Sequence, residues 1–186
     1  MSPDNIAFKV PTAHIVAEDT DLGIERTRNC FAADVICGLS ARYKHLLPKY
    51  FYEVAFQSHF CSPIYYEYIR GLGVNRISLE LLRSRAEADL ELKESIKQKF
   101  IGHSSSLNTF FGFDLDAVRS SDAPGTSAPS PLGLKASEFI QLVKYAASLA
   151  NTKIIEFSEV NPKYDADNRT AKLVAIGVHR FCTGVA

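Results

Sequence analysis

Apolar residues fall along the chain in two rhythms, short unbroken runs and longer stretches that repeat with the turn of a helix. The first fifty residues are mixed. Ile6 to Val10 is an apolar run stopped by Pro11, and Ala13 to Ala17 is a second that meets the acidic Glu18-Asp-Thr-Asp21; each is a candidate strand too short to decide. Phe31, Val35, Leu39 and Leu46 then fall in phase and predict a helix over Ile24 to Leu47, stopped by Pro48.

From Phe51 the rhythms alternate. Phe51 to Phe56 reads as a strand, and Ser62-Pro63 reads as an N-cap with proline at the first helical position. That helix is expected to end at Gly71-Leu-Gly73, where glycine accepts a left-handed C-cap. Val74 to Ser78 predicts a second strand. Leu82, Ala86, Leu90, Lys93 and Lys97 trace a charged helix over Leu79 to Phe100, and His103 to Ser106 is a polar linker. Phe110 to Asp116 predicts a buried strand ending in carboxylates, followed by a Pro, Gly and Ser-rich loop from Ser120 to Gly133. A helix over Ala136 to Ala150, a strand over Lys153 to Val160 and a helix over Arg169 to Phe181 complete the chain. Strands separated by helices of this length predict an α/β fold with a mostly parallel sheet covered on both faces, a three-layer αβα arrangement.

Composition narrows the function classes. The 186 residues suit one domain or one incomplete large domain, with 46% hydrophobic and 23% charged residues. Lysine plus arginine equals aspartate plus glutamate at 21 each, and no basic run or basic-aromatic interleaving occurs, so nucleic acid is not an expected partner. No run of apolar residues reaches the length of a membrane span, and the N-terminus lacks the pattern of a secretion signal. Cys30, Cys37, Cys61 and Cys182 lack paired spacing and read as reduced thiols of a cytoplasmic protein.

The candidate chemistry lies at the predicted strand ends. On a strand, alternate residues face the same way, so Asp114-Leu-Asp116 would aim two carboxylates into one small volume at the carboxyl edge of the sheet. Two such carboxylates repel unless one takes a proton or a hard divalent cation such as Mn²⁺ or Mg²⁺ sits between them. The competing reading is that they cap a loop and accept its N–H groups. Glu159, in Ser158-Glu-Val-Asn-Pro162, falls on the same edge and reads either as a ligand-binding carboxylate or as a solvated acid beside a turn in which Asn161 satisfies backbone groups.

Together these segments are more specific. Phe113-Asp-Leu-Asp-Ala-Val-Arg-Ser-Ser-Asp-Ala-Pro-Gly-Thr-Ser-Ala-Pro129, Leu132-Gly-Leu134, Ser158-Glu-Val-Asn-Pro162 and Asp165-x-x-x-Arg-Thr-Ala171, in this order, resemble the arginase, agmatinase and formimidoylglutamase family (the ureohydrolases). The resemblance covers about Tyr50 to Phe181. The Pro124 to Pro129 form of the loop, the Phe56-Gln57 strand end and the Cys61-Ser-Pro63 helix start are more similar to formimidoylglutamase than to arginase.

The resemblance implies an arginase-like fold lacking its N-terminal strands, with residues 51–186 the C-terminal half of a ureohydrolase domain and residues 1–50 an atypical segment. It implies Asp114 and Asp116 as manganese ligands in a two-ion site, and Glu159 as the partner of a substrate amidinium through two-pronged hydrogen bonds. Thr126 and Ser127 are either substrate contacts or turn residues held by their own hydroxyls. The implied substrate is a small amidine or guanidino compound, with N-formimidoyl-L-glutamate giving L-glutamate and formamide. The family's other ligands come from Gly-Gly-x-His and Asp-Ala-His-x-Asp motifs, and His14, His45, His59, His103 and His179 have no such neighbours. Thr12-Ala-His-Ile-Val16 has only a faint shape of the second motif, both aspartates being replaced.

In the family the strand carrying that second motif lies between those of Phe51 and Asp114. Residues 5–17 are the candidates to replace it; otherwise the chain is expected to be marginal or to need an oligomer or a complementing N-terminal half. Three readings follow: a formimidoylglutamase-like half enzyme, with little activity alone; a non-catalytic relative acting as a binding or interaction module; and an unrelated flavodoxin-like domain.

Overall fold

The computed structural model describes residues 6–10, 51–60, 63–71, 73, 75–86 and 108–184. The expected helix over Ile24 to Leu47, the apolar run at Ala13 to Ala17, the Ser62 cap, the far end of the Leu79 to Phe100 helix and the His103 to Ser106 linker lie outside these residues.

Five strands form one sheet: β1 (Ile6–Val10), β2 (Phe51–Phe56), β3 (Asn75–Ser78), β4 (Thr109–Asp114) and β5 (Thr152–Ser158). Their order is β3-β2-β1-β4-β5, and every pairing is parallel. The α-helices are α1 (Pro63–Gly71), α2 (Leu79–Ala86), α3 (Ala136–Ser148) and α4 (Arg169–Cys182). The crossover from β2 to β3 runs along the sheet in the opposite sense to that from β4 to β5. With right-handed connections α1 and α3 therefore lie on opposite faces.

β1 occupies the position left open by the sequence. It pairs on one side with β2 (Phe8 opposite Tyr52) and on the other with β4 (Phe8 opposite Phe111). Strands β2 and β4 thus face β1 and not each other. Residues 6–10 make the sheet continuous.

Local signals explain several boundaries. Proline opens α1, where its missing N–H is no loss. Gly73 takes φ +73° and its N–H donates to the Arg70 carbonyl at 3.1 Å, a turn that a residue with a Cβ would enter with strain. At the start of α3, Asp122 Oδ2 accepts the Ala136 N–H (2.8 Å) and Glu138 Oε2 accepts the Lys135 N–H (2.7 Å). Glu138 also pairs with Arg83 of α2 at 3.1 Å, so one carboxylate both caps α3 and ties it to its neighbour.

The core lies between the sheet and α3. Alternate residues of β4 point the same way, and Phe111 and Phe113 are both buried there. Phe113 lies 5.5 Å from Phe157 of β5 and 5.7 Å from Phe139 of α3, ring centroid to centroid. Phe111 meets Tyr145 edge-on at 6.4 Å. α4 turns Thr170, Leu173 and Gly177 inward, with Gly177 set against the Phe157 ring.

Candidate functional site

The carboxyl ends of β4 and β5 lie side by side. Asp114 ends β4 and is in register with Ser158, which ends β5, so Glu159 is one residue beyond the partner of Asp114. The strand does not continue through Asp116 as the alternating pattern predicts. Asp114 Oδ1 accepts the Asp116 N–H at 3.0 Å, and Leu115–Ala117 forms a 3₁₀ turn. A short side chain that bonds the backbone two residues ahead competes with the ladder and ends it. Asp116 is thereby held next to Asp114 by a turn and not by strand alternation. Both are buried, at 1% and 3% exposure, which makes an uncompensated pair of charges costly.

The loop from Val118 to Lys135 arches over these ends and is fastened at many points. Its base closes through Leu134 N–H to the Ala117 carbonyl (2.8 Å) and Arg119 N–H to the Leu134 carbonyl (2.9 Å). The Ser130 hydroxyl reaches the buried Gln57 Oε1 beyond β2, at 2.5 Å. At the crest, successive residues touch the two sides of the site: the Ala128 N–H donates to Asp116 Oδ1 (3.1 Å) and the Ser127 hydroxyl donates to Glu159 Oε2 (3.3 Å). Thr126 is enclosed, and its Oγ1 has no hydrogen-bond partner among the described residues. Glu159 itself has φ +65°, a left-handed conformation unusual for a residue with a side chain.

The remaining fastening was not legible as such. The Asp165 carboxylate accepts the Thr170 and Ala171 N–H groups, both at 2.9 Å, and so caps α4 from three residues before its adjoining Asn168, which sits at φ +57°. The Thr170 hydroxyl accepts the Gly125 N–H at 2.8 Å, and the Gly125 carbonyl accepts the Asn161 N–H at 2.8 Å. A Cβ on Gly125 would lie 2.3 Å from the Asp165 Cβ and 2.9 Å from its Cα, so glycine alone fits between loop and helix. Burial pushes the Asp165 carboxyl up, but the Ala171 and Thr170 hydrogen bonds outweigh it and hold the group below the ordinary carboxylate range. Asp165, Thr170 and Gly125 all stand in the segments that carry the family resemblance. Their spacing alone gave them no role, because the bond that ties loop to helix joins Gly125 to Thr170, 45 positions further along the chain.

The structure brings Asp114, Asp116, Ser127 and Glu159 to one rim, with Thr126 enclosed beside them. His59 and His179 are exposed, in the turn after β2 and on α4. Oxygen donors of this kind fit a hard cation such as Mn²⁺. The number does not: among the described residues no group of three or more His, Cys, Asp or Glu side chains is placed to hold a metal ion. The donor set fits part of a centre and not a whole one.

The all-parallel α/β sheet is that of the arginase-like fold. The family model described as the arginase family matches residues 41–182, and the chain belongs to that family. A formimidoylglutamase of Staphylococcus aureus (strain JH9) is 45% identical over 71 residues, 38% of this chain and 23% of the relative. Among solved structures, formimidoylglutamase from Bacillus subtilis superposes with a TM-score of 0.79 at 23% identity, covering 97% of this chain and 53% of that one. Formiminoglutamase of Trypanosoma cruzi with Mn²⁺ gives 0.74 at 23% identity (96% and 54%), and arginase from Bacillus caldovelox 0.75 at 18% (98% and 61%). The chain therefore spans little more than half the length of these solved relatives.

Proposed function

We propose that this chain is the C-terminal half of a manganese-dependent, formimidoylglutamase-like hydrolase of linear amidines, acting in the cytoplasm on N-formimidoyl-L-glutamate to give L-glutamate and formamide. The observation that carries this reading is the crest of the loop, where Ser127 and Ala128 contact Glu159 and Asp116 respectively and so set two kinds of carboxylate around one space. In this reading Asp114 and Asp116 contribute oxygen ligands, Glu159 pairs with the planar amidinium, Ser127 orients Glu159 and Thr126 offers its unspent hydroxyl to the same space. Manganese, when bound, supplies the Lewis acidity that makes water nucleophilic near neutral pH. Two aspartates do not hold a two-ion centre, so the chain alone is assigned substrate-facing and ligand groups but no completed hydrolytic step.

The expected result is little or no hydrolysis of N-formimidoyl-L-glutamate by the purified chain with added Mn²⁺. Metal analysis is expected to show weak, sub-stoichiometric manganese that is lost in Asp114→Ala. Turnover at the rate of an intact relative, or two tightly held ions per chain, would show the ligand set to be misread. The shortage of clustered ligands also favours a second reading, a non-catalytic relative that keeps the fold as a binding module. Manganese uptake indifferent to Asp114→Ala would favour it.

A further inference from the structure

One irregularity of the sheet lies beside the site. Along β2 and β3 the register runs Tyr52 opposite Asn75, Glu53 opposite Arg76 and Val54 opposite Ile77, then jumps to Phe56 opposite Ser78. Ala55 is the extra residue of a β-bulge, fully buried and at φ +63°. One extra residue reverses the alternation of everything after it. Tyr52 stands in one row with Phe8 and Phe111, and Phe111 meets Tyr145 of α3, so Tyr52 and Val54 lie on the face of α3. Glu53 and Arg76 lie on the other face. In an unbroken strand Gln57 would follow Glu53 and Ala55 there, away from the site loop. The bulge sends Phe56 to that face in its place, with its ring centroid 4.1 Å from the Arg76 guanidinium carbon, and turns Gln57 toward α3.

Gln57 meets Ser130 on that side. Both side chains are buried, and the Ser130 hydroxyl donates to Gln57 Oε1. Ser130 is a knot in the loop, since its carbonyl accepts the Ser120 N–H at 2.6 Å and its hydroxyl accepts the Leu132 N–H at 3.3 Å. Two residues earlier the Ala128 N–H holds Asp116 Oδ1, and Pro129 between them has a fixed φ that makes the link stiff. In the sheet β1 separates β2 from β4, so the Gln57 bond bridges two strand spacings, about 10 Å. Thr170 holds the Gly125 side of the crest, and Gln57 holds the Ser130 side. We propose that Gln57 is a positioning residue: through Ser130 and Pro129 it sets the place of the Ala128 N–H and so the orientation of the Asp116 carboxylate, and the strained bulge at Ala55 is what aims it. The inference rests on the reading of Asp116 as a metal ligand and names the contact that turns it. Ligating carboxylates are themselves held by hydrogen bonds, and loss of such a partner weakens metal binding about 10–100-fold.

The test uses the full chain. Gln57→Met preserves the length of the side chain and removes the acceptor. Amide exchange, read by NMR without metal, is expected to quicken about tenfold at Ala128 and to stay unchanged at Gly125, whose N–H Thr170 holds. Ser130→Ala should act alike, and the double variant no further than either single one, because all three lose the same bond. Gln57→Glu retains Oε1 and is expected to restore the parent rate. Manganese titration followed by EPR should show binding weakened about tenfold in Gln57→Met and parent-like in Gln57→Glu. Exchange at Ala128 unmoved by Gln57→Met, effects that add in the double variant, or equal quickening at Gly125 would each overturn the proposal. A response at Ala128 in a chain that takes up no manganese leaves the brace intact and counts against the metal-site reading. Manganese lost in Asp114→Ala but indifferent to Gln57→Met does the reverse.

Discussion

Asp165 shows how one carboxylate governs a site it does not line. It accepts two N–H groups at the start of α4, and the hydroxyl of the same Thr170 accepts the Gly125 N–H of the loop. Removing the side chain in Asp165→Ala forfeits the cap and is expected to destabilise the protein by about 1–2 kcal/mol. The charge has its own signature. Because the folded-state pKa lies below the unfolded one, the carboxylate's stabilisation is fully present above the ordinary carboxylate value of about 3.9 and is lost as pH falls through the lowered value. Asp165→Asn has no proton to take up, so unfolding curves at successive pH values should show the variant losing less stability than the parent below about pH 4. Equal acid slopes would mean the carboxylate gains nothing from its helix. Two other residues store strain near the strand ends: Ala55 at φ +63° in β2 and Glu159 at φ +65° after β5. A left-handed conformation costs a residue with a Cβ about 1–2 kcal/mol, and such strain collects where side chains must be aimed.

At the scale of elements, the β4 aromatics join sheet to helix. Phe113 is fully buried between Phe157 and Phe139, so Phe113→Ala should cost about 3–5 kcal/mol, read from the midpoint shift in urea unfolding. A smaller loss would mean the neighbours collapse into the space. That β4 was a buried strand was legible in Phe110-Phe-Gly-Phe, and helix limits were legible wherever proline or glycine marks them, as at Pro63 and Gly73. The turn holding Asp116 was not. An Asp-x-Asp at a strand end satisfies the alternating pattern equally well whether the strand continues or the first aspartate bonds the second N–H and stops it. Nor was the place of Ile6 to Val10 settled, since so short a run is stable only through neighbours that sequence periodicity does not register. The family resemblance located the rim, while the braces through Gln57, Gly125 and Thr170 needed coordinates.

For the whole molecule, the sheet depends on its first strand. β1 bridges β2 and β4, so without it the β2–β3 and β4–β5 pairs share no hydrogen-bonded edge. Deleting residues 1–10 is expected to abolish cooperative unfolding, leaving a broad thermal transition by circular dichroism where the full chain gives a sigmoid. A sharp transition retained by the truncated protein would show the remaining strands closing on each other. The full chain carries the fold of its family at little more than half the length of its solved relatives.

The central seat of β1 also sets a clock. Ile6 pairs with Thr109, more than a hundred residues further along the chain. At synthesis rates of about 5–20 residues per second, the first strand leaves the ribosome roughly 5–20 s before that neighbour exists. Throughout that wait Ile6, Ala7, Phe8 and Val10 are sticky cargo on a nascent chain, a natural target for a chaperone.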